Sequence, residues 1–532
     1  FCQKTLDSLL EKCGASRLLI NKYRSLAGGT HFSIGGDFLL PVNSGGHSAY
    51  QDFVLENLRK YYPNPDSIAR STWDIIDRFW NLDLSFTDEF MRDKYSVFGP
   101  KPRTPSCMQR SYLLSIDFKV SSLTDWAAQL KINPLYAILS GFEFGDTPGV
   151  GTFYDFLNRL WDSDDNHLSP HIHPLKAKVK KPKTKGTKAD SVEKVKVEQL
   201  LPQLENTTFD IKDQPYGSLF ILYQKEFLYQ SVSKGLIDTQ SLALAGDGTP
   251  VVTSHRERKH RVCSCASKGI TDCKCDRYFS QPDCDIGWDS SRDCYYHGYD
   301  LYMLVASDSE SDLPVFPLLN PASKHDSHGF LLNFFRMKSF LPDFNITKML
   351  LDSAHDAMPY YEYFRRAHIT PFIDLNGKGG VKLPYKDDFT IGKDGVPVCR
   401  EGRRMNHDGS EPSKYRVKFR CPLASRKYSC SCEHPCSDSK YGRTVHVAMK
   451  DNPRLFNIPP RDSDEWKLEY NARTSAERSN KREKLDFKLE DGRHRSTKMW
   501  YCRLYHILML QHLDAWDMPF ESALRKLILQ AA

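Results

Sequence analysis

The stretch Tyr470-Asn-Ala-Arg-Thr-Ser-Ala-Glu-Arg-Ser-Asn-Lys-Arg-Glu-Lys484 spaces an aromatic ring, two cations and a carboxylate at positions 470, 473, 477 and 484. At about 100° per residue, Tyr470, Arg473, Glu477 and Lys484 fall within an arc of roughly 60° on a single helix. That face would hold a metal through Glu477 while Arg473 and Lys484 grip phosphates beside it. Arg478, Lys481, Arg482 and Glu483 lie in the same stretch, so by itself it also reads as a charge-laced surface helix with i,i+4 pairs. Carboxylates elsewhere in the chain separate the two readings.

Metal-dependent phosphoryl transfer needs acids from distant segments to converge, because hard cations must be neutralised while positions stay open for water and phosphate. Asp247 lies in Ser241-Leu-Ala-Leu-Ala-Gly-Asp-Gly-Thr-Pro250, where the apolar run predicts a buried strand ending at the acid. Gly246 and Gly248 flank it and would let backbone and ligand approach closely. Asp352 ends a second apolar run, Ile346-Thr-Lys-Met-Leu-Leu-Asp352. A helix over Ala354 to His368 and a strand over Ile369 to Ile373 are predicted next, a strand–helix–strand unit with parallel pairing. Ligand sites in open α/β sheets favour the carboxyl ends of strands. Singly, each aspartate also reads as a helix cap or turn former.

The gap pattern Tyr, two residues, Arg, three residues, Glu, six residues, Lys resembles the signature of a group of bacterial insertion-sequence transposases, DDE enzymes with an RNase H-like catalytic core. His297-Gly-Tyr-Asp-Leu-Tyr-Met-Leu-Val305 resembles the strand after the first Asp, and Phe372-Ile-Asp-Leu-Asn376 the strand after the second. Leu123 to Leu130, Leu139 to Phe142 and Pro148 to Leu160 resemble the amino-terminal helical region of such enzymes. The resemblance runs from about residue 105 to the end, and the first hundred residues add no motif to it.

The resemblance implies catalytic and metal-holding roles for Asp247, Asp352 and Glu477, and DNA-end binding by Tyr470, Arg473 and Lys484. It implies two Mg²⁺ or Mn²⁺ ions, oxygen ligands favouring these over zinc. Its implied partners are double-stranded DNA, namely terminal inverted repeats and target DNA, with a homodimer in the DNA complex. The reaction would be cleavage and strand transfer of element ends through a hairpin intermediate, in a bacterial cytoplasm at the nucleoid. The alternatives are an RNase H-like nuclease that only cleaves, and a catalytically inactive, transposase-derived, zinc-stabilised DNA-binding protein.

The 532 residues suffice for two or three domains, and the expected fold class is multidomain α+β. Residues 1 to 165 are expected to be mainly helical, with Asp125–Leu130 and Tyr136–Ser140 spaced like a helix–turn–helix. Residues 166 to 205 read as a basic linker, because Lys176, Lys178, Lys180, Lys181, Lys183, Lys185 and Lys188 crowd a stretch poor in apolar residues. Such a linker can track a DNA backbone by counterion release or merely aid solubility. The core is expected at 206–375, with a Cys-rich insertion at about 255–297. It resumes at 465–532 with the Glu helix and a carboxy-terminal helix. Between lies a β-rich, Cys-containing insertion at 376–464, marked by the alternation Tyr415-Arg-Val-Lys-Phe-Arg420.

Net charge is only +7, and no run of eighteen apolar residues predicts a membrane span. Fifteen cysteines are the feature the resemblance explains least. Cys263, Cys265, Cys273 and Cys275, followed by Cys284 and Cys294, form one cluster, and Cys421, Cys430, Cys432 and Cys436 another. With His260, His297 and His434 nearby, these thiols are candidates for structural Zn²⁺, although the Cys-x-Cys spacing is tighter than a usual knuckle. The other reading is reduced cysteines in small β hairpins, since no signal-peptide pattern favours disulfides.

Overall fold

The computed structural model describes residues 46–96, 101–168, 197–253, 283–376, 389–423, 432–439, 441–492, 494–516 and 522–530, with short pieces at 260–261, 269, 277–278, 281 and 383–386. The lysine run of the expected linker lies outside the described residues, as do Cys263, Cys265, Cys273, Cys275 and Cys430. Contacts divide the chain into one unit of residues 1–114, 123–159 and 518–532 and another of 115–122 and 160–517.

The first unit is helical in its described part. It comprises α1 (Gly46–Tyr61), α2 (Arg70–Asn81), α3 (Ser85–Met91), most of α4 (Pro105–Asp117), α5 (Leu123–Ile132), α6 (Pro134–Ser140) and α7 (Val150–Arg159). Asn133 caps α6 ahead of Pro134, and Gly141, at φ +85°, ends it in the left-handed conformation. The pair α5–α6 occupies the expected helix–turn–helix. Leu135 and Ala137 to Ser140 are all buried and Trp126 stacks on the partly buried Tyr136, so most of α6 is turned inward. The helix Ala523–Leu529 also belongs to this unit, whereas the sequence places all of 465–532 in the core. Arg59 donates to Leu527 O at 2.8 Å, and Ser522 Oγ to Asp77 at 2.5 Å.

The second unit is mixed α+β. After residues 115–122 and 160–168 its first helix is α8 (Val197–Glu205), so the end of the expected linker is helix. Helix α9 (Gly217–Tyr223) follows and runs through a π turn into Tyr229–Ser233. Its sheet is built on β1 (Leu242–Val252). Strand β2 (Asp285–Asp289) pairs antiparallel with the start of β3 (Cys294–Ala306), whose remainder pairs antiparallel with β1 and with β4 (Pro314–Pro321). On its other side β1 pairs in parallel with β5 (Ile346–Leu351), and β5 in parallel with β6 (Thr370–Ile373). The order through the middle is thus β4–β3–β1–β5–β6.

Helix α10 (Asp326–Phe340) covers one face, where Asn333 donates to Tyr302 O at 2.9 Å and Phe330 packs on the Tyr302 ring. Between β5 and β6 the expected long helix is a 3₁₀ turn, Ser353–His355, and a shorter α11 (Met358–Arg366). Pro359 explains the late start, because it cannot donate to a preceding carbonyl and is tolerated only in a first turn.

The β-rich insertion is present. Strands β7 (Leu383–Lys386), β8 (Phe389–Ile391) and β9 (Pro397–Cys399) form one antiparallel sheet, and β10 (Asn406–Glu411), β11 (Arg416–Arg420) and β12 (Thr444–Ala448) another. Alternation turns Val417, Phe419, Val445 and Val447 inward, where they share a core with Phe389, Ile391 and Val396. Asp356, just after β5, anchors this insertion: Arg454 grips it with Nε at 2.7 Å and Nη2 at 2.5 Å. Arg461 adds bonds to Ile373 O at 2.6 Å and Tyr361 Oη at 2.9 Å.

The chain then returns to the sheet as α12 (Asp464–Asn471), α13 (Thr474–Lys481) and α14 (Thr497–Ala515). Among the described residues no helix is long and apolar enough to cross a membrane.

Candidate active site

Asp247 lies inside β1 and not at its end, because β1 runs on to Val252 as a ribbon with β3. Its parallel neighbour stops sooner. The β1–β5 pairing ends at Ala245↔Leu350, so Asp247 and Asp352 both sit just past the point where the parallel pair gives out. The flanking glycines leave room for neighbouring side chains. A Cβ on Gly246 would lie 2.8 Å from Tyr302 Oη, and one on Gly248 3.0 Å from Asp300 Oδ1 and 3.1 Å from Asp326 Oδ1.

Asp247 accepts a hydrogen bond from Asn480 Nδ2 of α13 at 3.2 Å. Burial pushes its carboxyl up to about 7; Arg473 pulls it down, while Asp352, Glu477 and Asp326 push it further up. Asp352 has the opposite character. Burial works against its charge too, yet the His355 bond, the Ala354 N–H and Arg473 hold it below the usual carboxylate range. Its Oδ1 accepts from Ala354 N at 3.1 Å and lies 2.6 Å from Nδ1 of His355, itself only 1 % exposed. Since a carboxylate only accepts, the proton belongs on Nδ1. On the other side of the ring, Nε2 lies 3.0 Å from the Tyr302 hydroxyl.

The Tyr-Arg-Glu-Lys stretch is not one helix. Tyr470 closes α12, Arg473 stands at the cap of α13, and Lys484 lies in a π turn, Arg482–Asp486. Neither Pro nor Gly forces the break. Bonds from Ala472 N to Glu469 O and from Arg473 N to Tyr470 O tighten the turn. Tyr470 thereby stacks on Trp466, ring centroids 4.9 Å apart, while Arg473 turns toward the acids and donates to Glu477 Oε1 at 2.6 Å. Buried Ser475, Ala476, Ser479 and Asn480 lay α13 against the sheet, leaving Glu477 half exposed at its rim. Lys484 differs most from its expected role. Its Nζ donates to Pro250 O at 2.6 Å and lies 3.3 Å from Glu490, so it ties the helix to β1 and is not held out for phosphate.

Among the described residues no three His, Cys, Asp or Glu side chains converge as a ready-made metal cage, at the acids or around Cys432 and Cys436. At the acids each carboxylate is turned to an internal partner: Asp247 to Asn480, Asp352 to His355, Glu477 to Arg473. Their chemistry nevertheless fits a hard divalent cation. Asp352, Glu477 and Asp326 all act on Asp247, Arg473 is the cation common to Asp247, Asp352 and Glu477, and burial above all, with these acids adding to it, keeps Asp247 protonated up to about 7. Asp326, His355 and Asn480 were not singled out from sequence. His355 follows Asp352 by three residues and Asn480 follows Glu477 by three, spacings whose meaning appears only once the strand end and helix face are known.

In sequence comparisons no protein-family model matches the chain, and no curated protein matches it.

Proposed function

We propose that the chain is a DDE-type DNA transposase that cuts and joins element ends by metal-dependent phosphoryl transfer. The observation that carries this reading is the placement of Asp247 and Asp352, more than a hundred residues apart, just past the end of one parallel strand pair, with the Glu477 helix packed on β1 and its carboxylate acting on Asp247. The sheet supports it as well. Three antiparallel strands, β4–β3–β1, continued by parallel β5 and β6, are the arrangement an RNase H-like core requires.

Asp247, Asp352 and Glu477 would hold two Mg²⁺ or Mn²⁺ ions, which supply an activated water or 3′-hydroxyl and relief of charge on the leaving oxygen. The chain's own side chains prepare that site. His355 fixes which Asp352 oxygen faces inward, and Asn480 does the same for Asp247. Arg473, paired with Glu477 at 2.6 Å, would lie beside the acids where its guanidinium can take a phosphate of double-stranded DNA. Tyr470 flanks it. Lys484 contributes by docking α13 on β1.

The test is incubation with labelled DNA carrying candidate element ends plus Mn²⁺. Nicks followed by hairpins support transposition, and nicks alone support a nuclease. Binding without cleavage supports the inactive DNA-binding reading. Normal nicking by Glu477→Gln would remove Glu477 from the site.

A further inference from the structure

Behind Asp247 lies a second acidic place that the proposed reaction does not use. Side chains alternate along a strand, so Asp247 faces α13 while Gly248 faces α10. On the α10 side, Asp300 of β3 and Asp326 at the start of α10 close on Gly248. Their Oδ1 atoms lie 3.0 Å and 3.1 Å from where its Cβ would be, so any larger residue would press both carboxylates aside. Asp300 is 6 % exposed and its Oδ2 has no hydrogen-bond partner. Asn320, directly across from it on β4, is 3 % exposed and its Nδ2 lacks a partner too. Among the described residues no Lys or Arg pairs with either aspartate. The groups acting with them are the buried Tyr296 and Tyr302 hydroxyls, the imidazoles of His325 and His355, and the carboxylates of Asp247 and Asp352. Two facing carboxylates with an orphaned oxygen are costly to bury unless something positive joins them.

We propose that Asp300 and Asp326 form a second divalent-cation site, on the opposite face of β1 from Asp247. Hard oxygen donors select Mg²⁺, Mn²⁺ or Ca²⁺, and an octahedral ion held by two carboxylates keeps several waters. One such water can satisfy the Asn320 amide through its oxygen, and Asp326, only partly buried, gives the route in. The ion would brace the β1–β3–α10 junction and thereby the strand that carries Asp247. This holds whether or not the chain acts on DNA.

Mn²⁺ bound per full-length chain, counted by the loss of free-ion electron spin resonance, tests it. Asp247→Asn/Asp352→Asn should still bind one Mn²⁺ and still gain melting temperature from it. Adding Asp300→Asn should remove both effects. Asp326→Asn, at a less buried position, is the second variant in case Asp300→Asn folds poorly, and should also lose that ion. Loss of all Mn²⁺ in Asp247→Asn/Asp352→Asn would overturn the site while leaving the active-site reading intact. Unchanged Mn²⁺ binding with a raised melting temperature in Asp300→Asn or Asp326→Asn would also overturn it, showing a pair that shares a proton. Failure of the transposase reading shows separately, as absence of nicking.

Discussion

Two regions of this chain concentrate acids and bases, and they treat them in opposite ways. On the outer face of β10–β12 every carboxylate has cations in hand. Asp408 meets Lys418 at 2.8 Å and Arg420 at 2.7 Å, and Glu411 meets Arg416 at 2.9 Å and Lys414 at 3.0 Å. Glu411 is accordingly held down to about 2 by its Arg416 and Lys414 bonds. At the end of the parallel strand pair the acids outnumber their cations, and burial drives Asp247 up to about 7. Charge paired at the surface is satisfied where it stands, whereas buried acids in excess of their cations store an electrostatic demand that a cation would relieve, and that second pattern is the one our functional proposal rests on.

The largest effect that can break this comparison is on chemistry. Asp247→Asn should reduce Mn²⁺-dependent nicking to background while leaving the fold intact, since an amide keeps the shape and the contact with Asn480. Residual nicking near the wild-type level would mean that the unbalanced acids are not the reacting centre.

The same residue predicts a pH slope. Folded, Asp247 keeps its proton up to about pH 7, against an ordinary 3.8, so folding takes up a proton between those values. Its contribution to stability therefore falls as pH rises from about 4 to 7 and is flat above, by at most about 4 kcal/mol at 1.36 kcal/mol per unit. Glu483, fully buried and pushed up to about 8 by burial, acts in the same direction, so only the difference between wild type and Asp247→Asn isolates Asp247. Urea unfolding at pH 5 and pH 8 should show Asp247→Asn relatively more stable at pH 8. Equal differences at both values would deny the electrostatic demand.

Next in size is the anchor of the insertion. The Asp356 carboxylate is 0 % exposed and that of Arg454 15 %, so Arg454→Ala strands a buried charge at a cost of about 3 kcal/mol. Tyr361 and Asn376 N still bond Asp356 and moderate the loss. Amide hydrogen exchange should show β10–β12 opening more readily, and Arg454→Met with Asp356→Asn should recover part of the protection.

What was legible follows from how local each signal is. Apolar runs before Asp247 and Asp352 and the alternation in Arg416–Arg420 depend on neighbours in sequence, and all three appear as strands. The break at Ala472 was not legible, because no Pro or Gly marks it. It exists to stack Tyr470 on Trp466 and to turn Arg473 inward, both tertiary matters. Lys484 misled for a related reason. A cation in phase with Glu477 on a helical wheel says nothing of Pro250 O, which β1 brings from more than two hundred residues away. Asp300 and Asp326 were invisible as a pair until the β1–β3 register and the start of α10 put Gly248 between them.

The smallest expected effect is the sharpest check on the comparison, because it concerns the region where charge is balanced. The Glu411 side chain is 34 % exposed, and its ion pairs with Arg416 and Lys414 restrict long side chains that water would otherwise solvate almost as well. Its folded pKa lies below the ordinary 4.5, so what it adds to stability is present above that value and is lost as pH falls through about 2. Glu411→Gln should leave the urea midpoint at pH 7 unresolved from wild type, leave hydrogen exchange in β10–β12 unchanged, and leave nicking intact. Any small shift should vanish in 1 M salt, where the Debye length is about 3 Å. If Glu411→Gln instead loosened the insertion as much as Arg454→Ala, paired surface charge would be structural after all. The contrast between the two regions would then reduce to depth of burial alone.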